Sequence, residues 1–244
     1  MITLAAMIPS ASYGVELLCR RNPALSRATL GGALSRHCGA VVPEPGVQAD
    51  EVFVFSHSDV PAHLEDPTLV AQTLVVLKPG ASAPTLGEVE FTVLVADLMS
   101  SSVAPLPRLH LFEQVLEAVL SVVPCEAIHW LASKRIVPPD AWLAARRHGA
   151  EWDRLTSGPI DVRCFAHSGD ERWMDSLGLF AFGVPDVQLR YRGLDEEEAR
   201  SVLAEAVLEN LSGAKPVELV DAFAEPHRPV VQLRAPRKTQ PLFS

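Results

Sequence analysis

The chain has 244 residues, of which 48% are hydrophobic and 21% charged, with a formal net charge of -9. That length and composition suit a substantial buried core and exclude wholesale disorder, despite 20 prolines. The acidic balance excludes a general nucleic-acid binder, because neutralising phosphates needs clustered Lys and Arg.

Residues 1–7 are apolar but lack a basic leader, and Pro9 interrupts them well short of the ~18 apolar residues that a membrane span needs. We read residues 2–8 as a first strand of a cytoplasmic protein without membrane insertion. Asn22-Pro23 then predicts a helix start, with Asn as the cap and Pro at the first helical position, and Gly39 its end. Leu30, Ala33, Leu34 and His37 form the inward stripe. Residues 51–56 read as a central strand, since Val52 and Val54 on one face and Phe53 and Phe55 on the other are all apolar. Two further β-branched runs, 73–77 and 91–96, predict a hairpin through a turn at 79–87.

The clearest helix follows Pro107, where Leu109, Phe112, Val115, Leu116, Val119 and Leu120 recur on one helical face and Pro124 stops the pattern. Residues 127–132 predict a strand, Pro138-Pro139 a short helix carrying Trp142, and 161–166 another strand. Residues 187–192 alternate Val187, Leu189 and Tyr191 with Gln188, Arg190 and Arg192, as a half-buried strand does. Asp195 with Glu198 forms a capping box ahead of a second long helix that ends at Gly213. Residues 230–233 predict a last strand. The order implies an α+β fold of two ferredoxin-like βαββαβ halves, 1–125 and 126–234, sharing one mainly antiparallel sheet with helices packed on one side. Residues 235–244 read as a flexible tail.

Signals for chemistry are sparse. Cys19, Cys38, Cys125 and Cys164 lack zinc-ligand spacing, and adjacent His37-Cys38 falls at a helix end, so neither metal nor cofactor is expected. There is no Gly-x-Ser-x-Gly elbow, and Ser133-Lys134 and Ser168-Gly169-Asp170 suit turns. The run 174–189 concentrates what remains. Gly178 and Gly183 lack dinucleotide-loop spacing and, with Pro185, read as structural devices for a tight crossing. Asp175 and Asp186 flank the run as a candidate carboxylate pair. Phe180 and Phe182 read as core or as a partner surface, and Arg190 and Arg192 as candidate contacts for an anion or acidic partner.

Residues 173–189, together with 128–133 and 138–143, resemble a bacterial family catalogued as domain of unknown function 4261. The family's Leu-Gly-Leu and Phe-Gly-Leu-Pro-Asp signature stands here as Ser176-Leu177-Gly178-Leu179-Phe180-Ala181-Phe182-Gly183-Val184-Pro185-Asp186. The resemblance covers the C-terminal half and implies no activity. Two functions are therefore expected in competition. The first is a non-catalytic cytoplasmic interaction protein with a protein partner, such as an immunity protein or a secretion-system accessory factor, with self-association left open. The alternative is an enzyme with acid-base groups around Asp175 and Asp186, joined by His129 and His167.

Overall fold

The computed structural model describes residues 13–44, 51–61, 69–80, 89–98, 103–166, 169–213 and the backbone of 230–234. Its strands are β1 (Gly14–Cys19), β2 (Val41–Pro43), β3 (Val52–Pro61), β4 (Val70–Pro79), β5 (Phe91–Leu98), β6 (Ala127–Trp130), β7 (Ile136–Val137), β8 (Asp161–Ala166), β9 (Arg172–Leu177), β10 (Asp186–Tyr191) and β11 (Val230–Arg234). The helices are α1 (Arg27–Cys38), α2 (Pro105–Leu120), α3 (Pro139–His148), α4 (Glu151–Thr156) and α5 (Glu196–Ser212), with a 3-10 turn at Leu179–Phe182. The fold is α+β, and every pairing among the described strands is antiparallel.

Two sheets replace the single sheet expected from the element order. One has seven strands in the order β2-β3-β4-β5-β1-β6-β7, and the other runs β11-β10-β9-β8. Neither is the ferredoxin-like half that the order suggested. A βαβ crossover returns a strand parallel to its origin, whereas here β8, β9 and β10 run as a meander and β11 pairs antiparallel with β10. The larger sheet also extends past residue 126 to take in β6 and β7.

β1 is an interior strand of the larger sheet, between β5 and β6. The first strand expected at 2–8 lies outside the described residues, and β1 was not anticipated, because Val15-Glu16-Leu17-Leu18-Cys19 has no strict alternation. All six of its residues are buried, and a strand covered on both faces loses period-two patterning. The β4–β5 hairpin forms as expected, with Val75 opposite Val95 and Leu77 opposite Val93.

α1 starts later than the Asn22-Pro23 reading. Ser26 is the cap, its side chain accepting from the Thr29 amide, while Asn22 makes a local turn by accepting from the Ala24 amide. Gly39 ends it with φ 80°, and Leu30, Ala33 and Leu34 are buried, but His37 is exposed. In α2, Leu109, Phe112, Val115, Leu116 and Val119 face inward. Asp195 and Glu198 close the capping box of α5 at 2.8 and 3.0 Å.

One apolar cluster runs from Val15, Leu17, Val93 and Val95 on the inner face of the larger sheet, through α1, α2 and α5, to Met174, Val187 and Leu189 on the inner face of the smaller. The larger sheet has a second apolar cluster on its other face, formed by Val54, Leu74, Val76, Leu94, Ala96 and Leu98.

Candidate functional site

The signature run folds into the connection between β9 and β10. Gly178 has φ +124°, and a Cβ there would lie 2.6 Å from the Pro159 carbonyl oxygen, so no larger residue fits. Gly183 closes the 3-10 turn in the left-handed region at φ 82°. Asp186 Oδ1 accepts from the Leu179 amide at 2.9 Å, and Ser176 Oγ accepts from the Val187 amide at 2.8 Å. The connection is therefore stitched to both strands. Asp186 shapes the start of β10, as its position after Pro185 suggested.

The two candidate carboxylates are brought within electrostatic range of each other, but each is already engaged. Asp175 lies within β9 rather than at a turn, is 1% exposed, and is clasped by Arg163 through Nε at 3.1 Å and Nη2 at 2.9 Å. Burial pushes the Asp186 carboxyl up to about 6; the Asp175 charge adds to this, while the Leu179 and Gly178 amides and Arg163 oppose it. His129 sits on the other sheet, its Nδ1 3.1 Å from Glu16 Oε2. His167 lies outside the described residues. Of the groups considered for acid-base chemistry, the described residues bring the two aspartates near each other and set His129 on the other sheet.

Of the aromatic candidates, Phe182 is core, with its ring centroid 4.2 Å from that of Tyr13, and Phe180 packs against the core's margin. Phe182 is buried, whereas Phe180 is half-buried. Arg190 and Arg192 do reach the molecular surface, and both converge on Glu171. Glu171 Oε2 accepts from Arg190 Nη2 at 2.8 Å and from Arg192 Nη2 at 3.1 Å, and Glu171 Oε1 accepts from Trp173 Nε1 at 3.0 Å. The hydrogen bond from Arg190, helped by Trp173 and Arg192, holds the Glu171 carboxyl down at about 2.

These residues belong to the face of the smaller sheet that points away from the core. Strand register sets Phe165, Trp173 and Arg190 in one row across β8, β9 and β10, and Arg163, Asp175 and Gln188 in the next. The Arg190 guanidinium lies 6.0 Å from the Trp173 ring centroid and that of Arg163 lies 5.7 Å from Phe165. Phe165 is 47% exposed. Two guanidinium groups thus lie close to aromatic rings on this face of the sheet.

Sequence reading missed Phe165, Trp173, Arg163 and Glu171. A local signal existed for two of them. Asp161-Val162-Arg163-Cys164-Phe165-Ala166 alternates an inward apolar set with an outward set containing Arg163 and Phe165. For Glu171 there was none, because its partners lie 19 and 21 residues away.

Other polar groups are interior. Asp97 accepts from Arg108 Nε at 2.5 Å, from Arg108 Nη2 at 3.2 Å and from the Tyr13 amide at 2.6 Å, pinning β5 to α2 and to the start of β1. Beside this pair is a cavity of about 10 Å³ lined by Gln72, Thr73, Asp97, Arg108, Leu111, Phe112 and Val115, space for one water rather than a substrate. His57 Nε2 is 2.7 Å from Thr73 Oγ1, and burial pulls its pKa down to about 4. Among the described residues no group of three His, Cys, Asp or Glu side chains is placed to hold a metal ion, no helix is long and apolar enough to cross a membrane, and all four cysteines are free. No protein-family model matches the chain, and neither a characterised protein nor a solved structure matches it.

Proposed function

We propose that this chain is a non-catalytic interaction protein that docks a protein partner on the outward face of its four-stranded sheet. The observation that supports this reading is the row Phe165–Trp173–Arg190, in which an exposed ring, a half-buried ring and a guanidinium lie side by side on a rigid support. Aromatic and Arg side chains are the residue types that dominate binding energy at protein interfaces. Arg163, Arg190 and Arg192 are each paired with Asp175, Glu171 or Asp170, so the face itself is close to neutral and binds through stacking and apolar burial. The net charge of -9 acts at longer range and accelerates encounter with a basic partner.

A bacterial cytoplasmic immunity protein, or an accessory factor of a secretion system, is the setting we propose for such a surface, in keeping with the resemblance of the C-terminal half to family 4261. The enzyme alternative draws on the raised Asp186 carboxyl beside Asp175. It is weaker, because both side chains are spent on Arg163 and on the loop amides. Titration calorimetry against the proteins encoded beside this gene tests the proposal. Trp173→Ala and Arg190→Ala are expected to weaken binding at least tenfold with the fold retained. Binding that survives both changes overturns it, and a folded Asp186→Asn variant that loses a substrate turnover found in the wild type establishes the alternative instead.

A further inference from the structure

Among the described residues, the edge strands β2, β7 and β8 differ in how they are protected against pairing with another strand. An exposed edge is normally blunted by brevity, proline, charge or a bulge. β2 has three residues and ends in Pro43, and β7 has two residues followed by Pro138 and Pro139. β8 lacks brevity, proline and a bulge, and its two charged residues, Asp161 and Arg163, are already paired within the chain with Arg135 and Asp175. It runs six residues without proline or lysine, pairs in unbroken register with β9 from Asp161 to Ala166, and is exposed from Cys164 to Ala166. Its other side has no strand partner among the described residues.

We infer that β8 is the dimer edge of this protein, pairing antiparallel with β8 of a second copy to make a continuous eight-stranded sheet. The sequence of the strand is complementary to itself in one register. Outward residues must face outward residues across the two-fold, which leaves two symmetric registers covering five residues of the strand. Centring on Arg163 sets two guanidinium groups against each other. Centring on Cys164 sets Arg163 against the second copy's Phe165, twice, and Val162 against its Ala166. That second register repeats between chains the cation–ring contact that Arg163 already makes with Phe165 within the chain. It also joins two copies of the Phe165–Trp173–Arg190 row into one surface across the dyad. The inference does not depend on the heterologous partner proposed above, since a self-paired edge needs no other protein.

Purified protein alone provides the test. Sedimentation equilibrium is expected to show a reversible dimer; a monomer throughout the accessible concentration range overturns the inference. The register predicts a charge-dependent pair of variants at exposed Phe165. Phe165→Lys opposes Arg163 of the second copy and is expected to weaken dimerisation at least tenfold, whereas Phe165→Glu pairs with it and stays within about threefold of wild type. Equal dimerisation of the two variants overturns the register. Diamide at alkaline pH then accepts two electrons and two protons from a pair of thiols. In the dimer it is expected to link Cys164 to Cys164, identified by mass spectrometry of the linked peptides. A dimer that never yields this link is assembled through another surface, and the inference fails. None of these readings involves a second protein, so the docking proposal stands or falls separately.

Discussion

The two sheets differ in what covers them. The seven-stranded sheet has an apolar cluster on each face; β1 and β5 are buried nearly throughout, and β4 is buried from Thr73 to Leu77. The four-stranded sheet is apolar only on the face toward α5, and its other face carries rings, arginines and carboxylates in cross-strand rows. A sheet buried on both faces has every side chain committed to packing, so it contributes stability and has little left for recognition. A half-covered sheet contributes less burial but holds a rigid array toward the outside. Division of labour of this kind is expected where a binding surface must be preorganised without weakening the core.

The largest expected effect tests the packing side of that contrast. Leu116 is fully buried in the helical layer, and Leu116→Asp places an unpaired carboxylate there, at a cost of about 4 kcal/mol or more by the usual scale for buried unpaired charge. Chemical denaturation is expected to show an unfolded or molten protein at neutral pH, and an unchanged midpoint contradicts the assignment of α2 to the core.

Next comes the β9–β10 connection. Gly178→Val combines a forbidden backbone region with a clash on the Pro159 carbonyl, while Gly183→Val faces open space and bears only the backbone strain. The first is expected to lower stability by about 3 kcal/mol or more and the second by about 1–2 kcal/mol. Equal losses at the two glycines show that the Pro159 contact is not what selects glycine at 178.

The sheets should also respond oppositely to pH. Asp186, on the smaller sheet, has a carboxyl raised from 3.8 to about 6, so its protonated form is favoured by folding. Its stabilising contribution is full below about pH 4 and is lost as pH rises through about 6, for a change of about 3 kcal/mol. His57, on the larger sheet, is lowered from 6.5 to about 4, so its contribution is full above about pH 6.5 and is lost as pH falls toward 4. Asp186→Asn keeps an acceptor for the Leu179 amide and removes the ionisation. It is expected to be as stable as wild type at pH 4 and more stable at pH 8, by thermal unfolding at both values. A variant less stable at pH 8 shows that the charge, rather than the hydrogen bond, holds the loop.

The smallest stability effect belongs to the outward face. Phe165→Ala is expected to change unfolding free energy by no more than about 0.5 kcal/mol, as for exposed positions generally, while weakening association. A large stability loss there moves Phe165 from recognition to packing and erases the contrast between the sheets.

Local order was legible in the sequence wherever neighbouring residues carried the information. The α2 stripe, the Asp195–Glu198 capping box, Gly39 and Gly213 as helix ends, and strands such as 161–166 follow from periodicity and capping chemistry, which act within a few residues. The sequence also set the left-handed turn at Gly183 and the role of Asp186 beside Pro185. Tertiary structure alone decided the rest. β1 concealed itself because burial on both faces removes the alternation that marks a strand. The partition into two sheets depended on which strands found each other across the chain, and an order of strands and helices is compatible with several such pairings. The outward row on β8, β9 and β10 was decided in the same way. Phe165, Trp173 and Arg190 become neighbours only through register, and Glu171 collects two arginines about twenty residues distant, because a hydrogen bond responds to distance in space and not along the chain.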